Sequence, residues 1–256
     1  MTDTTTTARS TRTLADFDAL SFDCYGTLID WEAGLKAGLA KVAALAPTPP
    51  GVDDLLETYG EAESAIERDE PTLLYPEVIA AAIRRTGNVH GIAVPEALAA
   101  EFGASVPEWP AFPDSAEALA RLQNHLKLII LSNVDRASFA GSNARLGVTF
   151  DAVYTAQDIG SYKPSARNFD YLLARTSDLG VAPGRLLHVA QSLFHDHVPA
   201  KAQGLPTVWI DRRGAREGFG ATPPPPVDVA PDWIFPSMAA FADAMDAAHG
   251  EVGASR

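Results

Sequence analysis

The chain has 256 residues, of which 46% are hydrophobic and 21% charged, and its 33 acidic against 20 basic residues give a formal net charge of -13. This composition is typical of a globular protein and excludes wholesale disorder. The acidic balance argues against nucleic acid or an anionic membrane surface as a partner, because both require clustered Lys and Arg. The single cysteine, Cys24, excludes an internal disulfide and a cysteine-based zinc site.

The N-terminal segment is polar and Thr-rich. Residues 1–13 lack hydrophobic periodicity, which predicts a disordered tail, and they contain no apolar stretch of the kind found in a signal peptide. No apolar run elsewhere approaches the length of a membrane span. We therefore expect a cytoplasmic protein that does not bind membranes.

Short apolar runs recur along the chain and predict strands buried on both faces. They lie at residues 19–22, 128–131, 152–154, 186–189, 207–210 and 233–235. Helical patterns alternate with the later strands, at about 115–125, 135–146, 165–178, 198–203 and 237–248. This alternation predicts an α/β fold with a doubly wound parallel sheet.

The interval between the first two strands is far longer than an ordinary crossover. It contains four Ala- and Leu-rich helical patterns, at 31–45, 53–68, 75–86 and 95–104. We interpret residues 31–110 as an inserted helical cap, and residues 14–30 and 111–256 as the α/β core.

Polar side chains follow several of the predicted strands, at the edge of the sheet where α/β proteins bind ligands. They are Asp23, Thr27, Ser132, Asn133, Lys163, Ser192, His195 and Asp196. Two carboxylates, one lysine and several small hydroxyl and amide groups suit nucleophilic catalysis by a carboxylate that a cation keeps ionised.

Some of these residues also have a purely structural interpretation. Lys163 precedes Pro164, and a lysine in a loop is by default a solvated charge. Ser132 and Asn133 stand where the N-cap of the next helix is expected, and Asp196 is placed to cap the helix predicted at 198–203. The sequence leaves these alternatives open.

Four segments resemble, in order, the motifs of the haloacid dehalogenase superfamily: Asp23-Cys24-Tyr25-Gly26-Thr27-Leu28, Ser132-Asn133, Lys163-Pro164 and the segment ending at Asp196. The resemblance covers about residues 16 to 245. Phosphatases of this superfamily carry a second Asp where this chain has Tyr25, and a magnesium-binding acid where it has Gln191. The Asp-x-Tyr-Gly-Thr pattern is similar to the L-2-haloacid dehalogenases, which need no metal.

The resemblance implies a mechanism that needs no cofactor. Asp23 would displace halide from C2 of a small 2-haloalkanoic acid and form an ester, which water then hydrolyses to the 2-hydroxy acid. Lys163 would keep Asp23 ionised, and Asp196 would orient Lys163 or activate the water. Thr27 and Ser132 would donate hydrogen bonds to the nucleophile or the substrate carboxylate. Members of the family often form dimers, so the resemblance also makes a homodimer one state to test.

The chain departs from the family pattern in its cap. The cap arginine that commonly grips the halide or the substrate is absent at its usual position, and Arg68 is the nearest one downstream. The candidate substrate contacts are therefore Tyr25, Asn133, Ser192, His195 and Arg68. We expect haloacetates, with fluoroacetate among the candidates, to be preferred over longer acids. A magnesium-dependent phosphatase and a catalytically silent interaction protein are the alternatives.

Overall fold

The computed structural model describes residues 12–182, 184–214 and 221–254. Their strands are β1 (Ala19–Phe22), β2 (Lys127–Ser132), β3 (Ala152–Thr155), β4 (Leu186–Ala190), β5 (Thr207–Ile210) and β6 (Trp233–Phe235). They form one sheet of six parallel strands in the order β3-β2-β1-β4-β5-β6. Each predicted strand is present, and the α/β fold with a doubly wound parallel sheet is confirmed.

The helices accompany the sheet as the sequence predicts. In the described ranges they are α1 (Trp31–Ala43), α2 (Val52–Asp69), α3 (Tyr75–Val89), α4 (Glu96–Ala104), α5 (Ser115–Leu122), α6 (Arg136–Leu146), α7 (Ala156–Ile159), α8 (Ala166–Thr176), α9 (Val198–Ala202) and α10 (Met238–Ala254). None of these helices is long and apolar enough to cross a membrane.

The sheet brings the polar side chains of the predicted site to one edge. β1 lies between β2 and β4, and all four of its residues are buried. Phe22 pairs with Ile130 of β2 and with Val189 of β4. Because the strands are parallel, the residues that follow each strand emerge at the same edge, which lies where the strand order reverses and ligands commonly bind.

Helices α1 to α4 occupy the interval between β1 and α5. One hydrophobic cluster runs from Phe22 of the sheet to Leu35 and Ile79 of these helices. Gly60 of α2 lies against the backbone of Ala221, where a Cβ on residue 60 would stand 2.0 Å from the Ala221 carbonyl oxygen. This close approach seats α2 over the site edge. The division into a core and a cap at residues 31 and 110 stays a prediction.

The predicted disordered tail lies mostly outside the described residues, which begin at residue 12. Within the described part, the Thr13 backbone N–H donates a hydrogen bond to Oδ2 of Asp16 at 2.7 Å. Thr13 thereby starts a short 3-10 helix, Leu14–Asp16, that leads into β1. Thr13 therefore belongs to the folded part of the chain.

Candidate active site

Asp23 follows β1 directly, and a tight turn brings a hydroxyl group back to it. The turn passes through Gly26, whose φ of 93° lies in the left-handed region that favours glycine. The Thr27 hydroxyl then donates to Oδ2 of Asp23 at 2.6 Å and accepts the backbone N–H of Gln191 at 2.9 Å. Thr27 therefore holds one oxygen of the Asp23 carboxylate in place, as predicted from the motif.

The ammonium group of Lys163 joins the two predicted carboxylates. Its Nζ lies 2.9 Å from Oδ1 of Asp23, 2.6 Å from Oδ1 of Asp196 and 2.9 Å from the carbonyl oxygen of Leu131. The side chain is 1% exposed, so the interpretation of Lys163 as a solvated loop charge is wrong. Burial alone would lower the pKa of Lys163, but the two carboxylates outweigh it, and the net effect raises that pKa.

Asp196 is held by a second group that the sequence analysis did not single out. His188 of β4 is fully buried, and its Nε2 lies 3.1 Å from Oδ1 of Asp196. The His188 Nδ1 lies 2.9 Å from the hydroxyl of Ser21 on β1. With Ser21 donating to Nδ1, Nε2 carries the proton and donates to Asp196. A histidine inside an otherwise apolar strand was the sequence signal that could have indicated this role.

The surroundings of the two carboxylates shift their pKa values in opposite directions. Burial would raise the pKa of Asp196, but Lys163 and His188 outweigh it and lower that pKa well below its usual value. Asp196 therefore stays ionised. It does not cap α9, because the N-terminus of that helix accepts no side-chain cap. Burial raises the pKa of Asp23, and the nearby Asp196 raises it further, while Lys163 and Thr27 oppose the shift. Asp23 thus depends on Lys163 for its charge.

Asn133 fixes the loop that carries Lys163. Its side-chain Oδ1 accepts the backbone N–H of Lys163 at 2.7 Å, and its Nδ2 donates to the Lys163 carbonyl oxygen at 3.0 Å. The N-cap of α6 is Asp135, whose carboxylate accepts from Ala137 and Ser138. Ser132 and Asn133 are therefore not the N-cap. Ser132 is 2% exposed, and its hydroxyl has no hydrogen-bond partner among the described residues, which leaves it for a ligand.

A cavity of about 40 Å³ lies in front of Asp23. Of the predicted site residues, Tyr25, Ser132, Asn133, Lys163, Ser192, His195 and Asp196 line it together with Asp23. The cavity also has walls from α1 to α3 that include Trp31 and Tyr75. A cavity of this size suits a small substrate.

Two of the predicted contacts have defined roles in the walls of this cavity. The Tyr25 hydroxyl lies 2.8 Å from that of Ser142, and its ring packs against Tyr75 and Trp109 at centroid distances of 6.0 Å. The Ser192 hydroxyl accepts the backbone N–H of His195 at 2.9 Å and lies 3.2 Å from its Nδ1. Burial lowers the pKa of His195 to about 4. The imidazole is therefore neutral near pH 7, and its Nε2 has no partner among the described residues.

The assignment of Arg68 to the substrate site needs correction. Its side chain is 70% exposed and pairs with Asp69, and it does not line the cavity in front of Asp23. Arg68 lies instead in a larger outer cleft between α2 and the Lys163 loop. The α2 residues that do line the cavity are Glu63 and Glu67, which are 4% and 5% exposed.

The sequence analysis did not single out these two glutamates. They repeat with a spacing of four residues after Tyr59, and all three lie on the buried face of α2. Charged residues on the apolar face of an amphipathic helix were the available signal.

The chain matches the model of the haloacid dehalogenase-like hydrolase family over residues 17–190. No curated protein matches the sequence. Similar solved structures include the defluorinating L-2-haloacid dehalogenase Rha0230, with 19% identity, coverage of 90% of this chain and 95% of that chain, and a TM-score of 0.71. The L-2-haloacid dehalogenase from Xanthobacter autotrophicus with chloropropionic acid covalently bound has 21% identity, coverage of 90% and 98%, and a TM-score of 0.72.

A third similar structure is a HAD-hydrolase, YfnB from Bacillus subtilis, bound to magnesium. It has 17% identity, coverage of 90% of this chain and 99% of that chain, and a TM-score of 0.71. At these identities the likeness shows the fold, which hydrolases of more than one activity share. The family match spans more than half of the chain and includes the Asp23 turn, Ser132, Asn133 and Lys163. The chain therefore belongs to the haloacid dehalogenase-like hydrolases.

Proposed function

We propose that this protein hydrolyses the carbon–halide bond of small 2-haloalkanoic acids through an ester on Asp23. The observation that carries the proposal is the setting of Asp23. Thr27 and Lys163 each engage one of its oxygens, and the carboxylate lines a cavity large enough only for a small molecule. Hydrogen bonds on both oxygens fix the direction of attack before the substrate arrives.

The first step is a displacement at carbon. An oxygen of Asp23 bonds to C2 of the substrate, while the carbon–halogen bond breaks and its electron pair leaves with the halide. Lys163 supports this step by keeping Asp23 ionised before the attack. Two unit charges at the 2.9 Å distance between Lys163 and Asp23 attract each other by about 6 kcal/mol at an effective dielectric constant of about 20.

The second step is hydrolysis of the ester. Water adds to Cγ of Asp23, the ester bond breaks, and the 2-hydroxy acid leaves as the Asp23 carboxylate and one proton are regenerated. Asp196 lines the same cavity, and its Oδ2 is buried without a hydrogen-bond partner among the described residues. This oxygen is the open acceptor for the hydrolytic water, since Oδ1 is already engaged by Lys163 and His188.

The substrate carboxylate needs hydrogen-bond donors, because the pocket lacks the cap arginine. The Ser132 hydroxyl is one donor at the cavity that has no partner among the described residues. A second is Nε2 of His195, which carries the proton when Ser192 donates to Nδ1. Two neutral donors and a cavity of about 40 Å³ favour a two-carbon acid over longer ones.

The proposal is tested by halide release from bromo-, chloro- and fluoroacetate and from (S)-2-chloropropionate. Asp23→Asn is expected to abolish release without loss of the fold, whereas Asp18→Asn, at the exposed opposite end of β1, is expected to retain it. In a single turnover in ¹⁸O-water, the label is expected in Asp23 and the product is expected to carry unlabelled oxygen. Magnesium-dependent release of phosphate from model esters, with no halide release, would instead favour a phosphatase.

A further inference from the structure

Two buried carboxyl groups of α2 line the same cavity as the proposed nucleophile, and the proposed displacement does not yet use them. Glu63 and Glu67 are one helical turn apart, and both line the cavity that Asp23 faces. Ser132, nearly fully buried and with an unpartnered hydroxyl, lines the same cavity. The carboxyl pair therefore faces a space that is built to receive a ligand.

The two glutamates differ in their hydrogen bonds. Oε1 of Glu63 accepts the hydroxyls of Tyr59 and Tyr75, each at 3.0 Å. Glu67 has a single weak contact, with Nδ2 of Asn133 at 3.3 and 3.4 Å from its two oxygens. Hydroxyl donors stabilise an ionised carboxylate, so Glu63 is the better anion of the pair.

The charges around the cavity favour a proton on Glu67. Among the described residues that line it, Lys163 is the single ammonium or guanidinium group, and its Nζ is engaged by Asp23, Asp196 and Leu131. Burial, with Glu63 as the next contribution, raises the pKa of Glu67 well above its usual value. Four carboxyl groups thus share the cavity with one ammonium group, which favours the acid form of Glu67, and that form can donate a hydrogen bond.

The direction of the displacement gives this proton a use. In a displacement at carbon, the leaving group departs on the side opposite the attacking oxygen. Asp23 reaches the cavity from the end of β1, whereas Glu67 reaches it from α2, a separate element. An ionised carboxylate there would repel a departing halide, whereas a protonated one stabilises it.

We propose that Glu67 is a hydrogen-bond donor to the leaving group in the first step, with Glu63 as the neighbouring carboxyl group that favours a proton on it. This inference rests on the proposed function. As the carbon–halogen bond breaks, the halide leaves with the electron pair and accepts a hydrogen bond from the Glu67 hydroxyl, which keeps its proton. The proton that hydrolysis of the Asp23 ester releases goes to solvent.

A hydrogen-bond donor at this point selects the substrate class. Fluoride is the most basic of the halides and the strongest hydrogen-bond acceptor among them, so its departure gains most from an acid. Bromide is a weak base and leaves without one. The arrangement therefore favours fluoroacetate as a substrate. It also predicts that fluoride release depends strongly on Glu67, whereas bromide release does not.

The test compares fluoroacetate with bromoacetate in Glu67→Met, which keeps about the size of the side chain and removes its hydrogen-bond donor. The variant is expected to lower kcat for fluoride release by about 100-fold or more and for bromide release by less than about 5-fold. Glu61→Gln, which removes an exposed carboxylate from the same helix, is expected to change neither rate. The infrared difference spectrum between wild type and Glu67→Met at pH 7 is expected to contain the carbonyl band of a protonated carboxyl group.

Several results would overturn the proposal. They are equal losses for both halides, a gain of activity in Glu67→Met, a wild type that releases bromide but no fluoride, and a difference spectrum with an ionised carboxylate at position 67. The bromide arm separates this inference from the function on which it rests. A wild type that releases neither halide overturns the proposed dehalogenation itself, and the role of Glu67 with it.

Discussion

The burial of Glu63 makes the stability of this protein depend on pH in a defined way. Burial raises the pKa of Glu63 from 4.5 to about 7, even though the hydroxyls of Tyr75 and Tyr59 lower it in part. Between these two pH values the folded protein binds a proton that the unfolded chain has lost. The free energy of unfolding therefore falls as pH rises through this window.

The size of the effect follows from the shift. A rise from 4.5 to about 7 corresponds to a loss of about 3 kcal/mol above pH 7. At pH 5 the loss is below about 1 kcal/mol. Glu63 then holds its proton in the folded state, and pH 5 lies only slightly above the pKa of 4.5 that this group has in the unfolded chain. Glu63→Gln removes the titration but keeps an oxygen that accepts from Tyr59 and Tyr75.

The assay is urea unfolding of wild type and Glu63→Gln at pH 5 and pH 8. Relative to wild type, the variant is expected to gain about 2–3 kcal/mol on going from pH 5 to pH 8. Any effect of the substitution on packing is the same at both pH values and cancels in this comparison. Glu61→Gln, exposed on the same helix, is expected to follow wild type. A Glu63→Gln variant with the pH dependence of wild type would refute the reasoning.

Three further predictions concern the charges at Asp23. Lys163→Met leaves two buried carboxylates without their cation, so the free energy of unfolding in urea is expected to fall by about 3–5 kcal/mol and the rate of halide release by at least about 100-fold. Near-normal values of both would contradict the role of Lys163. Because burial raises the pKa of Asp23, kcat/KM measured against pH is expected to decline on the acid side at a pH above 3.8, and a decline at an ordinary aspartate pKa would argue against a buried nucleophile. Halide release is expected to be unchanged in excess EDTA, because Lys163 and His188 already engage Oδ1 of Asp196; a loss restored by magnesium would count against the proposed mechanism.

The sheet and the position of the proposed nucleophile, Asp23, were predictable because they depend on local pattern. Each strand is a short apolar run, since parallel strands are buried on both faces, and the run identifies the strand wherever it packs. Asp23 and Lys163 were found from the order of the motifs along the chain. The chemistry at a strand end requires particular residue types at particular positions, and such a pattern can be recognised in the sequence alone.

The sequence alone could not decide the partners of these residues. Asp196 was equally well interpreted as a helix cap, and only its contact with the buried ammonium of Lys163 and with His188 separates the two roles. Contacts between residues far apart in sequence arise from the packing of whole elements, and no local pattern encodes them.

Helix α2 shows most clearly what the sequence alone could not predict. The periodicity of α2 indicates which of its faces is buried, but not against what. The sequence favoured Arg68 as the charged group of this helix at the substrate, whereas in the structure Glu63 and Glu67 line the cavity with Asp23 and Arg68 is exposed. A rotation of one residue along a helix exchanges a cation for a carboxyl group at the same place. The sequence by itself determined the fold and the order of the motifs that carry Asp23 and Lys163, and the tertiary packing of α2 decided which of its charged groups line the cavity, because packing selects the face of a helix that is buried.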